Sequence, residues 1–433
     1  PGGYDFEIWN ELSFGSQFLN EENYYSPARE TGSGSVTEAL LDETVAYIRN
    51  PAHGISPQVG VSDGFASQTP FASGANVPPG TTALSKHLYK NPTSIPAEYT
   101  PEPKIRPLNA LSALDSTTKV TEANPIFTPL FTPSYVSALP EYYLTATQTE
   151  TVIRDLAPIT TTIYGVPHGR NVSPPGSEAP QTWMTEYNLR TELLAPINPE
   201  HPGEYLGSHV SPTQAGRLQA EILLRSLVSM VSKGMTREYF FAASHKESDN
   251  LISESFMSAV DADPSVYPGD QPGGETMEAF RHMLAQFQGP GPTGAARQLQ
   301  LLSIAQEGNH TEFAGDGTAA HPDLYDREAL AVFPFQSSPT RFVIPVYVMT
   351  PNLTTICDSG TPEGSPARFD LPNENFRITL GDLPETADPP AVSAYDPITG
   401  EATPARLISR QGDRAVFEIA ATDYPRLLTI EYG

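Results

Sequence analysis

At 433 residues the chain is longer than one hydrophobic core usually organises, so two domains are expected. A formal net charge of −26 works against nucleic acid and anionic membrane surfaces, both of which would repel it, whereas a neutral polymer such as a polysaccharide meets no such barrier. The single cysteine, Cys357, excludes an internal disulfide, no histidine or thiol spacing announces a metal, and neither metal nor cofactor is expected.

The chain opens at Pro1 with no basic-then-apolar leader, so any export signal is expected to be removed or to lie upstream. Residues Tyr4 to Trp9 alternate and are rich in aromatics, which predicts a short strand ending on the polar pair Asn10-Glu11. Val36, Leu40, Leu41, Val45 and Ile48 recur at helical spacing and predict a helix over 36–49. Gln58 to Ser62 and Thr82 to Ser85 read as further strands.

From 90 to 180 the chain is proline-rich and weakly patterned, with one helical stretch near Thr149 to Leu156; a loop of that length is expected to wall a binding cleft. His168 is a candidate to reach the cleft from it. Gln181 to Glu186 reads as a strand that again ends on a carboxylate. A helix over 212–232 follows, then a strand from Arg237 to Ala243 and a helix from Glu275 to Phe287.

After Gly289 the pattern changes to short β-like runs between turn residues, among them Arg341 to Met349, Phe376 to Leu380, Ala405 to Ile408, Ala415 to Ile419 and Leu427 to Tyr432. These predict a β-sandwich, more readily a brace than a glycan binder because no exposed aromatic cluster stands out. The expected division is therefore 1–290 and 291–433. No stretch approaches the roughly 18 apolar residues of a membrane helix. Asn171, Asn309 and Asn352 each begin an N-x-Ser/Thr sequon, a pattern frequent by chance.

Strands alternating with helices, with polar residues at strand ends, predict a parallel α/β barrel whose active site forms at the C-terminal mouth. Glu11 and Glu186 occupy equivalent positions at two strand ends. Two carboxylates facing each other there are what glycoside hydrolysis needs: one protonates the leaving oxygen, and the other attacks or activates water.

Phe6-Glu7-Ile8-Trp9-Asn10-Glu11-Leu12 and Trp183-Met184-Thr185-Glu186-Tyr187-Asn188 resemble the strand-four and strand-seven motifs of clan A glycoside hydrolases, most closely the family 39-like enzymes. The resemblance implies a (β/α)8 TIM barrel, of which this chain would carry strands four to eight, followed by the accessory β-sandwich. It implies Glu11 as general acid/base, Glu186 as nucleophile and Asn10 as the hydrogen-bond partner of the sugar 2-hydroxyl. His87 and Tyr89 look like the strand-six pair lining the pocket, with Tyr89 orienting the nucleophile. Trp183 and Tyr187 read equally as core residues and as sugar platforms.

The expected activity is retaining hydrolysis of a β-linked oligosaccharide or polysaccharide by a secreted enzyme, with Glu11 holding its proton and Glu186 ionised. Two features depart from the family. Strands one to three are absent, so a companion N-terminal segment or chain is expected to complete the barrel; and Tyr239-Phe240-Phe241 stands where a tryptophan is usual near the end of strand eight. They motivate an alternative, a non-catalytic carbohydrate-binding or extracellular assembly protein on an inherited scaffold. A transglycosylase using the same two glutamates is a third reading.

Overall fold

The computed structural model describes residues 3–11, 36–64, 78–87, 104–105, 129–130, 181–188, 212–232, 235–241, 251–252, 254–265, 274–297, 299–306, 308, 311–313, 324–325, 330–348 and 372–433. It divides into two compact units. One takes Pro1–Tyr89, Ala157–Tyr187 and Lys233–Phe240; the other takes Lys90–Leu156, Asn188–Ser232 and Phe241–Gly433.

The first unit is built on five strands, β1 (Phe6–Glu7), β2 (Val61–Ser62), β3 (Ala83–His87), β4 (Gln181–Tyr187) and β5 (Met235–Phe240). All are parallel and lie side by side in chain order. A parallel pair cannot be closed by a tight turn. Between β1 and β2 the chain accordingly forms helix α1 (Val36–Arg49), whose Leu41, Val45 and Ile48 are buried in one cluster with Ile8 and Val61. Asn50 and Pro51 end α1, and Arg49 donates to the carbonyls of Gly80 and Val59, fixing the approaches to β3 and β2.

The other face of this sheet is polar. Asp5 accepts from Arg237 at 3.2 Å and Glu7 accepts from Thr185 at 2.8 Å, although β1 and β5 are the two edges of the sheet. Five strands laid flat would span about 19 Å. Side chains from opposite edges meet only because the sheet curls strongly, with Asp5, Glu7, Thr185 and Arg237 on its concave side.

In the second unit, helices α2 (Pro212–Ser232) and α4 (Glu275–Gln286) pack together, Thr276 donating to Gln219 at 3.0 Å and Arg217 pairing with Glu275; α3 (Glu254–Ala262) lies between them in sequence. Besides two short two-stranded pairs, Lys104–Ile105 with Pro129–Leu130 and Thr311–Phe313 with Leu324–Tyr325, its strands are β6 (Gln300–Gln306), β7 (Leu330–Val332), β8 (Phe335–Ser338), β9 (Arg341–Val348), β10 (Glu374–Gly381), β11 (Ala391–Asp396), β12 (Glu401–Thr403), β13 (Ala405–Gln411), β14 (Arg414–Ala421) and β15 (Arg426–Glu431), and these ten build the larger sheets. They form two antiparallel sheets, ordered β7-β9-β15-β11-β12 with β8 on β9, and β13-β14-β10-β6.

Alternation explains how the two sheets share a core. Along β14, Ala415, Phe417, Ile419 and Ala421 are buried and the intervening residues are not, and these four pack in one cluster with Phe342, Ile344, Leu428 and Ile430 of the other sheet. Beside the core a buried polar knot joins Asp396, Tyr424 and Arg426. Asp396 accepts from the Tyr424 hydroxyl at 3.0 Å and forms an ion pair with Arg426 at 3.1 Å, and burial pushes the Tyr424 hydroxyl above its ordinary range.

The (β/α)8 TIM barrel expected from the resemblance is not what the described residues form, and that expectation is corrected here. They hold one open parallel sheet of five strands, two of only two residues each, with antiparallel sheets elsewhere and four α-helices in all. A barrel closes only when strand number, tilt and stagger agree around the whole circuit. Here the sheet ends at β1 and β5 among the described residues. Strand-helix alternation predicts parallel pairing between neighbours; it carries no information about closure, which is a property of the entire ring.

Candidate functional site

Three predicted residues come together at the C-terminal ends of their strands. His87, the last residue of β3, is 1% exposed, and its Nδ1 lies 3.1 Å from Glu11 Oε1 and 3.7 Å from Glu186 Oε2. One donor atom from each of Glu11, His87 and Glu186 lies within 4.8 Å of the others. The two glutamates are part-exposed, so the cluster opens outward while the imidazole anchors it from behind.

Local sequence explains the convergence. The pairing of β3 with β4 shifts register between Lys86 and His87, so that His87 stands opposite Glu186 and Thr185 becomes the extra residue. Such a bulge re-aims side chains at a strand end. On β1 the turn is tighter still: Trp9 (φ 65°) and Glu11 (φ 54°) both adopt left-handed backbone, a conformation that costs a non-glycine residue energy and is held only when its surroundings dictate it. Gly64 (φ 60°), just past β2, provides that constraint. A Cβ there would stand 1.5 Å from the Ile8 carbonyl oxygen, so only glycine lets the chain leaving β1 fold over β2.

Two groups that the sequence reading did not single out support the cluster. Asp63 is fully buried after β2 and accepts from the Ser85 backbone at 2.8 Å and the Ser85 hydroxyl at 3.1 Å, tying β2 to β3 two residues before His87. Its signal was the strand ending Ser62-Asp63-Gly64, another polar strand end. Glu7 is exposed as a residue, and its carboxyl accepts from Thr185 and Ser85. Burial of that carboxyl, with smaller contributions from Asp63 and Glu186, pushes it up to about 7 against the lowering effect of hydrogen bonds from Thr185 and Ser85. Its signal was alternation: Glu7 shares no face with Phe6 and Ile8.

Other candidates lie elsewhere. Asn10 is exposed beside Glu11, where it faces solvent at the mouth. Trp183 is buried toward the opposite end of β4, its indole donating to Gln181 at 2.8 Å and the Arg237 guanidinium 5.9 Å from the ring centre. Tyr187 is buried edge-on against Phe240. Both tryptophan and tyrosine therefore pack within the unit, and the aromatic exposed next to the cluster is Trp9, at 41%. Glu238 on β5 has both carboxylate oxygens buried without a hydrogen-bond partner among the described residues, and burial raises its proton affinity well above the ordinary carboxylate range. Tyr89, His168, Cys357 and the three sequon asparagines fall outside the described residues.

Chemically, two carboxylates flanking an imidazole can share and exchange a proton, attack an electrophilic carbon, or bind a cation. No spacing pattern in the sequence announced a metal, yet the three side chains offer one imidazole and two carboxylate ligands within reach of a single ion. No family model, no curated protein and no solved structure matches this chain.

Proposed function

We propose that the chain is a secreted retaining glycosidase acting on β-linked oligosaccharides or polysaccharides. The observation that carries this reading is the separation of the two carboxylates: oxygens of Glu11 and Glu186 approach within 4.8 Å. So close an approach suits double displacement, in which the two carboxyl groups stand about 5–5.5 Å apart.

In the first step Glu11 gives its proton to the glycosidic oxygen as that oxygen leaves, and a Glu186 oxygen forms a bond to the anomeric carbon. In the second, Glu11 takes a proton from water, and the water oxygen displaces Glu186. In this reading Asn10, exposed next to Glu11, holds the 2-hydroxyl, and Trp9 offers an exposed ring. His87 keeps the two carboxylates at working distance. The net charge of −26 sets no barrier to a neutral glycan.

Hydrolysis of a panel of aryl β-glycosides tests the reading. Glu186→Gln should reduce turnover to background. Glu11→Gln should lose about 10²–10⁴-fold on poor leaving groups and much less on activated ones that need no proton. Glycan binding with no turnover in the wild-type chain would instead support a non-catalytic carbohydrate-binding protein, a reading that draws on the exposed Trp9.

A further inference from the structure

We propose that Glu11, His87 and Glu186 also form a site for a divalent cation of the zinc or manganese class, whose occupancy excludes glycoside hydrolysis. The second half of this inference rests on the glycosidase reading; the site itself does not.

The donor geometry is close to that of a bound ion. With metal–nitrogen and metal–oxygen bonds of about 2.0–2.2 Å, tetrahedral ligands stand about 3.3 Å apart. His87 Nδ1 is 3.1 Å from Glu11 Oε1 and 3.7 Å from Glu186 Oε2, and all three donor atoms lie within 4.8 Å of one another. Small movements of the two glutamate heads bring the set into range. Both heads are part-exposed and can make that movement, whereas His87 is fixed at the end of β3.

Ligand chemistry selects the ion. An imidazole with two carboxylates suits zinc, manganese or iron, while magnesium and calcium favour oxygen-only shells with more ligands. Two carboxylate charges neutralise the ion, and three protein ligands leave a fourth position for water. A metal held this way takes a lone pair from Glu11 and from Glu186. Glu11 then carries no proton for the leaving group, and the charge that Glu186 needs as a nucleophile is drawn onto the ion, so metal and substrate compete for the same two side chains.

Calorimetric titration of the chelator-stripped full chain with zinc alone, and separately with manganese and magnesium, tests the site. One equivalent of zinc should bind, with magnesium at least about 100-fold weaker. Glu11→Gln and Glu186→Gln, near-isosteric changes whose folding is checked by circular dichroism, should each weaken zinc by about 10-fold or more. Zinc should inhibit aryl glycoside hydrolysis, and chelator should restore it. Absence of zinc binding, or zinc binding unchanged in both variants, overturns the site. Zinc bound through the triad in a chain that cleaves no glycoside leaves the site standing and removes the glycosidase reading. Full turnover in the zinc-saturated enzyme overturns the exclusion.

Discussion

Gly64→Ala is the substitution that should separate the two carboxylates without touching either. Gly64 sits at φ 60°, and a Cβ there would lie 1.5 Å from the Ile8 carbonyl oxygen, against a comfortable contact of about 3.5 Å. Alanine in left-handed backbone costs about 1 kcal/mol before any clash. Relieving the clash requires the chain at Ile8 and Trp9 to retreat by about 2 Å. That breaks the Ile8 amide bond to the Ser62 carbonyl and withdraws Ile8, 4% exposed, from its cluster with Leu41, Val45 and Val61. Exposing an isoleucine costs about 1.5–3 kcal/mol, so the whole substitution should cost about 3–5 kcal/mol. Gly54→Ala is the internal control, since Gly54 has φ 66° but nothing within 4 Å of its Cβ, and should lose only about 1 kcal/mol. Urea unfolding of both variants measures the difference. Where the protein still folds, displacing Glu11 from His87 by 1 Å or more should lower hydrolysis about 10²-fold. A Gly64→Ala protein as stable as Gly54→Ala, with full turnover, refutes the account of how β1 delivers Glu11.

Glu7→Gln should raise thermal stability at pH 8 and leave it unchanged near pH 4. Because the folded carboxyl is pushed up to about 7 from an ordinary 4.5, the folded state binds the extra proton between those values, and stability falls as pH rises through that window; glutamine removes the loss while still accepting from Thr185. A melting difference that does not grow between pH 4 and pH 8 contradicts this. Asp396→Ala strips the buried Arg426 of its ion-pair partner and Tyr424 of its acceptor and should cost about 3–5 kcal/mol in denaturant unfolding, because it leaves an uncompensated charge inside the second unit.

Much of the local structure was legible in the residues, for identifiable reasons. Apolar spacing at Leu41, Val45 and Ile48 located α1, and the same kind of spacing located α2 from Pro212 to Ser232. Strand β4 was readable because Gln181 to Glu186 alternates and breaks at polar residues. Elements α3, β6 and β11 were less legible: Glu254 to Ala262 is only nine residues long, and β6 and β11 show a single dominant face only once their partners are known. The convergence of Glu11 and Glu186 followed from strand-end position, a short-range signal. The bulge at His87, the left-handed turns at Trp9 and Glu11, and the strong curl of the sheet depend on contacts between residues far apart in sequence. So does closure, which is why the barrel was expected and an open sheet is found.

The curl also explains the electrostatics of the cluster. It gathers Asp5, Glu7, Asp63, Glu11 and Glu186 toward one side of the first unit, with the Arg237 guanidinium and the His87 imidazole as the partners described there. Arg237 is engaged by Asp5 at 3.1 Å. Glu7 holds a proton into the neutral range chiefly because burial disfavours its charged form, with smaller contributions from Asp63 and Glu186. Positive charge arriving at the mouth is favoured, whether it develops on the sugar ring in an oxocarbenium-like transition state or is carried in by a divalent ion. Removing one carboxylate from the cluster should therefore weaken both, and the ratio of the two losses separates a general field effect from direct contact.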